Sequence, residues 1–184
     1  DKLLGYSLDL KGSEYYTIYI RRIFNKKFVS SKITETSGGI TFSLDDKYIF
    51  YSKLDDNHRS KKIFRHKIGT PVKNDILIFE ELNERFTTGI GITSDEKYFL
   101  IFSGDHTTSE VHYFSTNDNN PKPKLFRKAK EGIIYSVNSW NNYFYIHTND
   151  KAEDFKICRC KHNKINNWED VVPAKDEVLV GGIT

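Results

Sequence analysis

Ser103-Gly104-Asp105-His106 places a serine, an aspartate and a histidine in one tetrapeptide. Neighbours in sequence cannot take up the geometry of a nucleophile, its base and the group that orients the base. A serine hydrolase also needs its nucleophile on a strained turn, usually Gly-x-Ser-x-Gly, and the chain contains no such pentapeptide. The tetrapeptide therefore reads as a polar hairpin loop. Six histidines are present, and none forms His-x-x-x-His or stands at zinc spacing from the cysteines. His66 and His112 are expected on strands as half-buried packing or hydrogen-bonding groups. Cys158 and Cys160 are the two cysteines. At i and i+2 of a strand they share a face and read as free thiols of a reducing compartment. The carboxylate pairs Asp45-Asp46, Asp55-Asp56 and Glu80-Glu81 are consecutive and splay apart. No phosphate-binding loop is present, since neither Lys-Ser nor Lys-Thr follows Gly181-Gly182. No catalytic residue, cofactor or metal is expected on this chain.

The elements that carry these residues repeat. Ser43-Leu44-Asp45-Asp46-Lys47 leads into Tyr48-Ile49-Phe50-Tyr51. Ser94-Asp95-Glu96-Lys97, one residue shorter before the lysine, leads into Tyr98-Phe99-Leu100-Ile101-Phe102. A looser copy runs from Ser139 through Asn141-Asn142 into Tyr143-Phe144-Tyr145-Ile146, and Asp1-Lys2-Leu3-Leu4-Gly5-Tyr6 resembles the same unit cut open. Lys2, Lys47, Lys97 and Asn142 are 45, 50 and 45 residues apart. Each unit has a small-residue strand (38–42, 89–93, 133–137, and finally 178–183), a tight polar turn and an aromatic strand. A polar loop follows (8–13, 54–60, 104–109, 149–154), then a third strand (15–20, 62–68, 111–114, 155–160). A more polar fourth segment closes the unit (28–33, 75–82, 124–128, 168–172). Residues 75–86, rich in Glu and Leu, are the strongest helical competitor.

Four antiparallel strands in about 45 residues is the pattern of a propeller blade. Buried strands read as continuous apolar runs, and outer strands take charges. The expected fold is all-β, a β-propeller fragment of about four four-stranded antiparallel blades. Its units are 1–37, 38–88, 89–132 and 133–176, with a last inner strand over 177–184. The last strand could close the units into a small ring; otherwise they form an open arc or a dimer. With 28 basic and 25 acidic side chains the net charge is +3, both signs interspersed, so no nucleic-acid partner is expected. No apolar run reaches the roughly 18 residues of a membrane span, and no membrane partner is expected. Methionine is absent even at position 1, which suggests a fragment or a processed chain.

Residues 62–71 (Lys-Ile-Phe-Arg-His-Lys-Ile-Gly-Thr-Pro) with 74–81 (Asn-Asp-Ile-Leu-Ile-Phe-Glu-Glu) resemble the propeller of the prolyl oligopeptidase family. Within it they are similar to the oligopeptidase B (protease II) branch. Residues 107–111, 144–149, 168–173 and 178–184 fit the same pattern. The resemblance implies cytoplasmic serine peptidases that cut short peptides after Lys or Arg. In them a seven-bladed propeller covers an α/β-hydrolase domain and admits only small substrates. This chain lacks the hydrolase domain, so no triad or basic-side-chain-reading residue carries over. The implied partners are that catalytic domain and short peptides; open blade edges allow self-association. Loops 54–60 and 104–109 are expected to form a rim towards the hydrolase domain. Arg59, Asp105 and Glu110 are the candidate interdomain ion-pairing and gating residues. A stand-alone propeller that binds a protein partner, and a prolyl oligopeptidase propeller, are the alternatives.

Overall fold

The computed structural model describes residues 2–30 and 32–183. Asp1 of the opening repeat, Ser31 of the 28–33 segment and Thr184 of the last expected strand lie outside the described residues. The strands are β1 (Leu3–Leu8), β2 (Tyr16–Arg22), β3 (Ile33–Thr36), β4 (Thr41–Phe42), β5 (Tyr48–Leu54), β6 (Ser60–Lys67) and β7 (Ile76–Glu80). They continue as β8 (Thr87–Ile92), β9 (Tyr98–Gly104), β10 (Ser109–Ser115), β11 (Lys124–Arg127), β12 (Tyr135–Trp140), β13 (Tyr143–Thr148), β14 (Lys156–Lys161) and β15 (Glu169–Val172). A single 3-10 turn, Val72–Asn74, is the only helical element among the described residues. Residues 75–86 hold β7 and no helix: the short apolar run Ile76-Leu77-Ile78-Phe79 pairs with β6 as a strand.

The chain divides into two compact units, Asp1–Ile90 and Gly91–Thr184. In the first, β1-β2-β3 and β4-β5-β6-β7 are successive antiparallel sheets, joined where Thr36 of β3 pairs with Lys53 of β5. The strand orders β8-β9-β10-β11 and β12-β13-β14-β15 complete two further four-stranded sheets. Each is a meander of consecutive hairpins, the layout of a propeller blade.

Burial follows the expected gradient. In β5, Ile49, Phe50 and Tyr51 are all at most 3% exposed, whereas every residue of β15 is exposed. The core of the first unit joins Ile18, Ile20, Ile33, Ile49 and Tyr51. That of the second is aromatic, with Phe126, Tyr135, Phe144 and Trp168 packed around Val137 and the two cysteines. Ring pairs such as Phe126–Phe144, 5.1 Å apart and edge to face, are the favoured geometry for buried aromatics.

The structure corrects four boundaries. The first small-residue strand shrinks to Thr41–Phe42, because Gly38 takes φ +88° and the chain is still turning there. The fourth segment of the first unit is Ile33–Thr36 rather than 28–33. Phe28 makes only an isolated bridge to Arg21, because Ser30 is drawn instead to His66 and to the Gly69 amide. Residues 178–183 form no strand: Val178 makes a lone bridge to Lys175, and the Val180 amide donates to the Asp154 carbonyl. Finally, the second polar turn is not shortened. Thr93, not Ser94, matches Ser43, since each hydroxyl donates to an aspartate two residues on and accepts the amide five residues on. Asp46 and Glu96 then share the left-handed position, at φ +56° and +57°.

Candidate functional site

The expected rim residues all find partners within their own compact unit. Arg59 sits on the β5–β6 loop. Its Nη1 donates to the Glu84 carbonyl at 2.7 Å, and its Nε lies 3.4 Å from Asp55 Oδ2. Asp105 begins the β9–β10 loop; one carboxylate oxygen accepts the amides of Thr107 and Thr108, both at 2.9 Å. This is the arrangement by which aspartate stabilises a tight turn. Glu110 of β10 accepts the Ala129 amide at 2.9 Å and lies 3.8 Å from His112 Nε2. Arg59 belongs to the first unit, Asp105 and Glu110 to the second. The Ser103-to-His106 stretch is the end of β9 and its loop, as expected.

A serine, a histidine and an aspartate do meet, at a place sequence spacing did not indicate. His66 on β6 is fully buried, not half-buried as expected. Its Nδ1 stands 2.7 Å from Asp75 Oδ1 and its Nε2 2.9 Å from Ser30 Oγ. An ionised carboxylate only accepts, so Nδ1 donates to Asp75. The Tyr51 hydroxyl donates to the other Asp75 oxygen at 2.8 Å. Burial first, and this carboxylate second, push the Tyr51 phenol well above its ordinary range.

These distances match a catalytic triad, but the surroundings do not match its chemistry. Acyl transfer needs amide donors aimed at the place where an oxyanion will form. The amide beside Ser30, that of Gly69, is instead spent on Ser30 Oγ itself at 2.8 Å. The network thus ties the segment before β3 to the β6–β7 turn. The available sequence signal was Arg65-His66 on one strand, with Asp75 just beyond the turn; Ser30 carried none.

Cys158 and Cys160 are free, buried and on one face of β14, as the spacing required. Burial pushes their thiols up to about 12 and about 11, so neither is a thiolate nucleophile near neutrality. Among the described residues no group of three or more His, Cys, Asp or Glu could hold a metal ion.

The comparisons place this architecture. The family model described as "Prolyl oligopeptidase, N-terminal beta-propeller domain" matches residues 1–184. Protease 2 of Moraxella lacunata is 30% identical over 193 residues, covering 97% of this chain and 28% of that protein. Dipeptidyl aminopeptidase BI of Pseudoxanthomonas mexicana is 27% identical, covering 99% of this chain and 26% of that protein. Among solved structures, oligopeptidase B from Leishmania major superposes with a TM-score of 0.93 at 25% identity, covering 98% of this chain and 26% of that one. Oligopeptidase B from Trypanosoma brucei gives 0.90 at 26% identity, with the same coverages. The chain thus spans little more than a quarter of these relatives. Repeated four-stranded meanders, a family match along the whole chain and these superpositions lead to one conclusion: this chain belongs to the N-terminal β-propeller domain family of the prolyl oligopeptidases.

Proposed function

We propose that this chain is the substrate-restricting part of an oligopeptidase B-like serine peptidase of the cytoplasm, which hydrolyses short peptides after Lys or Arg. The reaction belongs to an α/β-hydrolase domain outside these residues; the propeller selects by size. A channel among rigid blades passes an extended peptide and turns away a folded protein, whose chain cannot thread it. The innermost strand of each blade (β4, β8 and β12) is the element nearest the axis in such a propeller. The observation that carries the reading is the likeness to two oligopeptidase B structures over 98% of the chain. The prolyl endopeptidase structure from a study of two such enzymes stands at 16% identity and supports only the fold. The three rim residues remain candidates for contact with the catalytic domain. Their present partners lie within their own unit, so such contact would have to add to these bonds or replace them.

The test is an assay of the complete protein on reporter peptides ending in Arg, Lys or Pro, each with a free and a blocked N-terminus. Cleavage after Arg and Lys in blocked peptides is expected, with an unfolded protein cut faster than its folded form. Preference for Pro would move the protein to the prolyl-cleaving branch. A requirement for a free N-terminus would align it with the dipeptidyl aminopeptidase relative.

A further inference from the structure

The turn between β2 and β3 differs from its three counterparts. The β6–β7, β10–β11 and β14–β15 connections carry Gly-Thr-Pro, Asn-Asp-Asn-Asn and Asn-Lys-Ile-Asn-Asn sequences. The β2–β3 turn reads Arg22-Ile23-Phe24-Asn25-Lys26-Lys27, with Phe24 98% exposed and Ile23 51% exposed. It is built to hold the ring outward. The Arg22 amide donates to the Lys27 carbonyl at 2.9 Å and the Lys27 amide to Asn25 Oδ1 at 3.0 Å, while Lys26 takes φ +56°. Beside the turn is a pocket of about 290 Å³, walled by Lys2, Arg22, Lys47 and Lys67 above Val29 and Ile68. Asp46 also lines it, and Asp45 neutralises Lys47 at 2.9 Å. Among the described residues no carboxylate lies within ion-pair distance of Lys2, Arg22 or Lys67.

We propose that this end of the first unit docks on an anionic phospholipid surface, Phe24 and Ile23 entering the interface and the pocket receiving a headgroup phosphate. A protein partner fits less well. Lysine is depleted in protein–protein interfaces, whereas a ring protruding among lysines and arginine suits a fluid anionic boundary. Such contact needs no spanning segment, so it does not depend on the long apolar run the sequence lacks. From the proposed function it takes only that loop 55–59 faces the catalytic domain. That loop follows β5, whereas Lys47 and Lys67 stand at the other end of the β5–β6 hairpin, about 20 Å away.

The experiment is co-sedimentation of the complete protein with vesicles of phosphatidylcholine alone or with phosphatidylserine. Binding to the mixed vesicles only, lost in high salt, is expected. Phe24→Ser should weaken it about tenfold, and Arg22→Ala and Lys67→Ala about fivefold each. All should leave circular dichroism and peptide hydrolysis unchanged, since these side chains are exposed. Absence of vesicle binding, binding unaltered by Phe24→Ser, or capture by tripolyphosphate or single-stranded oligonucleotide in preference to vesicles would overturn the proposal. Hydrolysis after residues other than Lys or Arg would overturn the proposed function while leaving vesicle binding to stand by itself.

Discussion

The fate of single polar groups inside this fold depends on who their partners are. Asp75 is 4% exposed at its side chain and holds both the His66 imidazole and the Tyr51 hydroxyl. Removing one member of such a set strands the others without water. Asp75→Ala is therefore expected to cost about 3 kcal/mol in urea unfolding. His162 offers a different check. It lies 2.9 Å from Ser139 Oγ, whose hydroxyl proton goes to Asp95 Oδ2 at the same distance. Burial holds the imidazole below its ordinary 6.5, against the pull of Asp95. The unfolded chain thus takes up this proton first. The stability contributed by the neutral ring is complete above about pH 6.5 and declines as pH falls towards the lower folded value. Unfolding midpoints measured from about pH 7.5 to 5 should fall in the wild type, with that part of the slope missing in His162→Gln.

At the level of strands and turns, the aromatic runs were readable because they answer to local chemistry. Tyr, Phe and Ile suit a pleated, buried surface, and Ser-x-Asp-x-Lys carries its own capping bonds. Cys158 and Cys160 were placed on one face by the period of two alone. Boundaries that depend on distant partners were not readable: β3 starts at Ile33 because His66 holds Ser30, and residues 178–183 lack a strand to pair with. The β9–β10 hairpin supplies a sharp test of turn geometry. A Cβ on Gly104 would collide with the Thr108 carbonyl oxygen, a backbone atom that cannot swing aside. Gly104→Ala is expected to cost about 1–3 kcal/mol in thermal or urea unfolding. Gly89→Ala, which meets nothing within 4 Å, should cost much less.

At the scale of the whole chain, the strand that opens the first sheet carries exposed apolar side chains. β1 pairs with β2 and ends its sheet, and Leu4 and Leu8 on it are 52% and 43% exposed. An unpaired edge with apolar side chains is a template for another chain. The isolated 184-residue protein should therefore associate with rising concentration in sedimentation velocity. Leu4→Lys should shift it towards monomer, since edge lysines oppose pairing. A monomer at all concentrations would show that this edge is not the site of association.

Period and repeat alone determined that these residues form a series of antiparallel meanders and that Cys158 and Cys160 share one face of a strand. Both follow from spacings of a few residues, which the backbone obeys wherever it lies. Three-dimensional packing decided the rest. It brought Ser30, His66 and Asp75 within hydrogen-bond reach, left Phe24 in water and gave Arg59, Asp105 and Glu110 partners within their own units. Contacts between residues tens of positions apart depend on how sheets stack, and local sequence does not encode stacking.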